Sequence, residues 1–211
     1  MKKLSLLLFA VLIGLIGAAQ DFEKQMLKQN QKLKQKNEAV DLLKHAAVYE
    51  EIGTQFPERF EAKYYEALSL VFYAFDEKRV DVKEKQLQKA SKVIKSALSQ
   101  NSENAELYIL QAMCFQAMIQ SDPVKRGYEY SQKAEKSLAK AFALDTKNPR
   151  YFFLKGQNVF YTPEQYGGGK AKAKPFFEKA EKLYKKTKMA NDLDPSWGKE
   201  TNLKQLKACK S

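Results

Sequence analysis

Histidine is nearly absent from this sequence: His45 is the only one in 211 residues. One imidazole does not build a histidine-based metal cluster or a catalytic triad, so those chemistries are excluded at the outset. His45 lies beside small residues in "LLKHAAVYEE", the setting of a packing or helix-surface side chain. Cysteine is almost as scarce. Cys114 and Cys209 are the only two, which is too few for a disulfide framework in a chain of this length, although one bridge between them stays open. Strict alternation of apolar and polar residues, the mark of a half-buried strand, occurs over no segment of length. Beyond residue 20 no apolar run approaches the roughly 20 residues that span a bilayer.

What is present begins with "MKKLSLLLFAVLIGLIGAAQ". Lys2 and Lys3 precede an apolar run from Leu4 to Ile16, and the small residues Gly17, Ala18 and Ala19 follow. This is the three-part layout of a secretory signal, so residues 1–19 are expected to be removed after Ala19. The mature chain is then exported, periplasmic or secreted, with no integral membrane segment. The full sequence is strongly positive, 37 basic residues against 25 acidic, a formal +12, of which Lys2 and Lys3 leave with the signal segment. Nucleic acid is not an expected partner outside the cytoplasm. Phospholipid headgroups, acidic polysaccharides or an acidic protein face are the available anions. The lysines are scattered at helical spacing among glutamates and glutamines, as on a solvated surface.

Residues 20–37 are polar and basic, with Phe22, Met26, Leu27 and Leu33 to bury, and read as a first helix or a mobile leader. From residue 38 to 190 apolar residues recur three and four apart, the period of helices. Pro and Gly clusters mark the turns: near Gly53 to Pro57, "DEKRVD" from Asp76, "NSEN" from Asn101, "SDPVKRG" from Ser121, "DTKNP" from Asp145, "TPEQYGGG" from Thr162 and "DLDPSWG" from Asp192. Cutting there leaves about eight helices, joined by short connections into antiparallel hairpins. Residues 191–211 are expected to cap the open end, with Trp197 closing the last hairpin.

Three helices repeat one another. Ala90, Ile94 and Ala97 in "ASKVIKSA" match Ala134, Leu138 and Ala141 in "AEKSLAKA", and Ala173, Phe177 and Ala180 in "AKPFFEKA". Small residues at these places let a helix press against a neighbouring backbone while one bulky side chain fills the remaining space. Eleven residues after Ala97 and after Ala141 stand Tyr108 and Phe152, each followed four positions on by a small residue, Ala112 or Gly156. Tyr64, Leu68 and Val71 form a weaker copy. This pattern resembles the tetratricopeptide repeat. The resemblance implies an all-α fold, antiparallel helical hairpins stacked as a short right-handed solenoid. Departures fall on the connection from first to second helix, which is longer than the family's by ten, ten and five residues. Those insertions are expected to be loops. A second, narrower resemblance is to exported bacterial helical-repeat proteins with an "NPR", a Pro-x-x-x-Gly-Gly-Gly loop and a Pro-x-Trp-Gly segment. It extends to the T component of tripartite ATP-independent periplasmic transporters, and implies a transport-accessory role.

The glycines of "YTPEQYGGGKAKAK" raise the question of a phosphate cradle. A Walker loop needs a glycine five places before its Gly-Lys pair and a hydroxyl after it, where this chain has Glu164 and Ala171. The loop therefore reads as a turn, with Gly167, Gly168 and Gly169 supplying unusual torsions and Lys170 starting the next helix. An anion at that helix start stays open, since exposed amides and Lys170 favour one. Aromatic residues make up 12% of the chain, more than one buried stripe needs. Tyr65, Tyr73, Tyr151 and Tyr161 are the expected groove residues because a phenol prefers one wet end, with Arg150 and Lys155 as basic partners. Acidic pairs such as Glu50 with Glu51, or Glu58 with Glu61, have the residue types of an acid–base couple but the helical placement of solvent-facing carboxylates. The expected function is a non-enzymatic scaffold that binds another envelope protein and uses no cofactor. The second reading is a binding or transport-accessory protein for a small or anionic solute.

Overall fold

Helix follows helix without a strand among the described residues of the computed structural model, which are 2–34, 39–189 and 191–209. The side chains of residues 1–16, most of the signal-like segment, lie outside that description, as do the expected domain boundaries at residues 37 and 190 and the last two residues of the cap. The order is α1 (Lys2–Lys34), α2 (Ala39–Gln55), α3 (Phe60–Asp76), α4 (Val80–Gln100), α5 (Ala105–Ile119), α6 (Pro123–Leu144), α7 (Pro149–Tyr161), α8 (Lys170–Lys186) and α9 (Lys199–Ala208). A 3-10 turn, Glu164–Tyr166, sits between α7 and α8. Among the described residues no helix is long and apolar enough to cross a membrane.

Local chemistry sets several of the starts. Asn104, Asp122 and Asn148 each accept a bond from a backbone N–H in the first turn of α5, α6 and α7. Pro123 and Pro149 occupy the first helical position, where their missing N–H leaves no bond broken. Because Pro123 starts α6, Val124 to Gly127 are helical, whereas a turn was expected there. Both ten-residue insertions are likewise helix and not loop. They lengthen α4 and α6 ahead of Ala90 and Ala134, since the apolar period continues upstream. Lys83 and Leu87 are buried on the same stripe of α4 as Ala90 and Ile94. Only the five-residue insertion, before α8, is a true loop.

The small-large-small helices carry the core. Ala90, Ile94, Ala97, Ala134, Leu138, Ala141, Ala173, Phe177 and Ala180 are all at most 1% exposed. Removing each large member from water stabilises the fold by about 1.5–3 kcal/mol. Gly156 shows why its position must be small: a Cβ there would stand 2.6 Å from the Phe177 ring. Neighbouring helices pack in chain order, and α3, α5 and α7 also touch one another in sequence, so the first helices of successive hairpins form one continuous face. Of the two readings of residues 20–37, the first helix is observed as far as residue 34. Phe22 and Met26 of α1 are fully buried in the common core, and Arg59 lies over the Phe22 ring.

Candidate functional site

The face built by α3, α5 and α7 is walled on one side by α1 and crossed by the segment between α8 and α9. Residues 191–198 lie over this face and are held by three bonds with distant parts of the chain. The Tyr65 hydroxyl donates to the Leu193 carbonyl at 2.9 Å. Arg150 donates to the Pro195 carbonyl at 2.9 Å, and the Trp197 indole donates to the Tyr64 hydroxyl at 2.8 Å. Trp197 also meets Phe72 edge-on, with centroids 6.3 Å apart. Sequence reasoning placed Trp197 as a cap on the last hairpin. Helix α9 packs on α8, while the Trp197 side chain reaches Phe72 and Tyr64 of α3.

This strap divides the face into two basins. The first, about 740 Å³, is lined by Glu61, Glu106, Asn104 and Asp194 together with Phe60, Tyr64 and Leu193. Two of its carboxylates are matched to arginines. Glu61 accepts two bonds from Arg59 at 2.9 and 3.2 Å, and Glu106 receives Arg150 at 2.5 Å, with Asn148 at 2.6 Å. Burial works against the Arg150 charge, yet Glu106 outweighs it and holds the guanidinium above its usual range. The second basin, about 830 Å³, is lined by the aromatic rings of Phe72, Phe75, Phe153, Tyr161 and Trp197 together with the Met113 thioether. Asn30, Leu33 and Lys34 of α1 close its far side.

The expected site residues scatter around this geometry. Tyr65 and Tyr161 line the second basin. Tyr65 is only 5% exposed, stacks on Tyr49 at 5.4 Å, and is pushed up in pKa by burial, so it stays a neutral donor to the strap. Tyr161 stands at the rim, 70% exposed, accepting a bond from Gln205 at 3.3 Å. Tyr73 lies outside both basins and donates to Glu77. Tyr151 packs against Phe142 and Phe152, again away from the groove. Lys155 pairs with Glu135, and Arg150 clasps the strap. Neither is a free cation in a groove, because each has a carboxylate on a neighbouring helix. Phe72, Phe75 and Met113 were missed as basin residues, although the aromatic cluster on α3 was the signal available.

The glycine loop is a turn. Gly167 and Gly169 have φ of 89° and 100°, and a Cβ on Gly168 would stand 2.0 Å from the Thr162 carbonyl. Their three amides donate to Glu164, Pro163 and Val159, so the glycine amides are committed within the turn. Lys170 is exposed at the start of α8. His45 is buried, 2.6 Å from the Gln29 amide, and burial lowers its pKa. Among the described residues no group of side chains could hold a metal ion. Both cysteines are free. The Cys114 thiol, buried on α5, is pushed up to about 12 by burial, as an inert core thiol should be.

No family model matches the chain, so that comparison lends no support to the tetratricopeptide or transporter-component resemblance. No curated protein matches it either. Among solved structures the chain is similar to the HusA haemophore from Porphyromonas gingivalis, with a TM-score of 0.82 and 27% sequence identity. The likeness spans 90% of this chain and 92% of that one.

Proposed function

We propose that this chain is an exported, non-enzymatic capture protein for a flat, mostly apolar ring acid of the porphyrin class, haem included, held in the second basin. One observation carries the reading: an aromatic-lined basin of about 830 Å³ in a chain that resembles a haemophore over nearly its whole length. Ligand basins of this kind fall in the range of about 300–1,000 Å³. Phe72, Phe75 and Trp197 offer ring faces and edges for stacking, and the Met113 sulfur makes favourable contact with a π system. The signal-like residues 1–19 and the likeness to a haemophore support export.

Iron is not the main handle in this reading. No lining residue of the basin is a histidine or cysteine, and the ligating types present are Met113, the rim phenol of Tyr161 and the buried phenol of Tyr65, which is committed to the Leu193 carbonyl. A metal-free porphyrin should therefore bind within about tenfold of haem, a difference of about 1.4 kcal/mol or less. A partner protein, the occupant expected from the sequence, is the weaker proposal because the strap breaks the face into two ligand-sized basins. The small-solute reading held beside it is the one extended here.

Trp197 is the only tryptophan and lines the basin, which makes the test direct. Titrating the mature chain with haem and with protoporphyrin IX should quench its fluorescence saturably and shift the porphyrin absorption band. Quenching that grows linearly without saturation, with no band shift, would sink the proposal.

A further inference from the structure

All four arginines of the chain are in ion pairs: Arg59 with Glu61, Arg79 with Glu77, Arg126 with Glu84 and Arg150 with Glu106. Lysine therefore supplies the free positive charge, and one side of the molecule gathers a large share of it. Helices α4, α6 and α8 pack on α3, α5 and α7 through their buried small-large-small stripes. Their outward sides thus face away from the two basins. On α4 the outward side carries Lys85, Lys92 and Lys95, and on α6 it carries Lys136 and Lys140. On α8 it carries Lys179, Lys182 and Lys186.

These eight lysines are exposed, and among the described residues none of them makes an ion pair. Lys140 and Lys179 lie 5.4 and 5.8 Å from the ring centres of Tyr108 and Phe152, contacts that leave the charge in place. The same three helices carry six carboxylates. Five are answered: Glu84 by Arg126, Glu129 by Lys133, Glu135 by Lys155, Glu178 by Lys174 and Glu181 by Lys185. Asp81, in the first turn of α4, is the sixth. Lysines seven residues apart on a helix stand about 10 Å apart, comparable with the Debye length at physiological salt, so their fields add.

An apolar tip accompanies the charge. Val124 and Tyr128, one turn apart at the start of α6, are 95% and 82% exposed, more than any other large apolar side chain among the described residues. Protein interfaces are depleted of lysine and anchored by arginine and aromatic residues held in pockets. Free lysines act as point charges that need no fixed partner geometry, and a tyrosine beside them suits a membrane–water boundary, where its ring sits at headgroup level. Charge and a shallow apolar contact together attach a protein where either alone is weak.

We propose that the outward side of α4, α6 and α8 docks on an anionic lipid surface, the lysines facing headgroup phosphates and Val124 with Tyr128 entering the headgroup layer. Both basins, on the opposite side, then stay open while the chain is docked.

Cosedimentation of the mature chain with phosphatidylcholine vesicles, with and without phosphatidylglycerol, tests this. Wild type should bind only the vesicles that contain phosphatidylglycerol, and raised salt should release it. One lysine near an anionic leaflet is worth about fivefold. Lys92→Glu combined with Lys136→Glu should therefore weaken binding about twentyfold or more. Lys24→Glu combined with Lys28→Glu makes the same charge change at exposed positions of α1 and should weaken it less than about fivefold. Tyr128→Ser should weaken it about threefold or more. The outward pair should still titrate with protoporphyrin IX as wild type does, so failure here and failure of the basin reading are told apart. No binding to the anionic vesicles, equal losses in the two pairs, or no loss in Tyr128→Ser overturns the proposal. Retention on an immobilised acidic polypeptide without vesicle binding would give this side to a protein partner and overturn it as well.

Discussion

The two basins under the strap are similar in size, and the second carries more aromatic side chains than the first. In the first, the carboxylates of Glu61 and Glu106 already have arginines as partners, so its polar surface is largely satisfied within the fold. In the second, the rings of Phe72, Phe75, Phe153, Tyr161 and Trp197 line open space. A polar lining that answers itself holds the chain together. A lining rich in aromatic rings is the arrangement that a flat apolar ligand completes. Concavity alone does not identify a binding site; what matters is which groups still lack partners.

Breaking the first basin should have the largest effect. Arg150→Met leaves Glu106 without its guanidinium and releases the Pro195 carbonyl. Removing one partner of a buried pair costs about 3–5 kcal/mol, which a urea unfolding midpoint would show. An unchanged midpoint would mean that the clasp does not hold the strap. Phe72→Ala acts on the other basin and removes a ring beneath Trp197. Ring-acid affinity should fall about tenfold, or about 1.4 kcal/mol, measured by the shifted absorption band. Trp197→Phe keeps a ring but loses the donor to Tyr64, and should cost about 1 kcal/mol of stability with a smaller loss of affinity. Smallest of all, Tyr151→Phe and Lys155→Ala lie off both basins. They should change stability by no more than about 0.5 kcal/mol and leave ligand affinity alone. A marked loss of affinity in either would move the site to the far face of α7.

Much of this fold was legible in residue order, and less of the site. Ala134, Leu138 and Ala141 announce a buried stripe by spacing alone, and Asn148 followed by Pro149 announces a helix start. The expected loops before Ala90 and Ala134 are helix because a family template implied a shorter helix, while the apolar period at Lys83 and Leu87 pointed to a longer one. Tyr73 and Tyr151 are chemically indistinguishable from Tyr161 in a sequence. Only their neighbours differ, Glu77 and Phe142 in place of an open basin. Arg150 read as a free basic group because Glu106 lies 44 positions away.

By itself, then, the sequence determined the helical class, the hairpin order, the buried small-large-small seams and the architectural use of the glycines, since all of these depend on residues within a turn or two of one another. The tertiary structure alone decided that residues 191–198 cross the groove, that Trp197 meets Tyr64 across 133 positions, and that Phe72, Phe153 and Trp197 line one basin. Those placements depend on which surfaces from opposite ends of the chain fill the same space, and no local period encodes that.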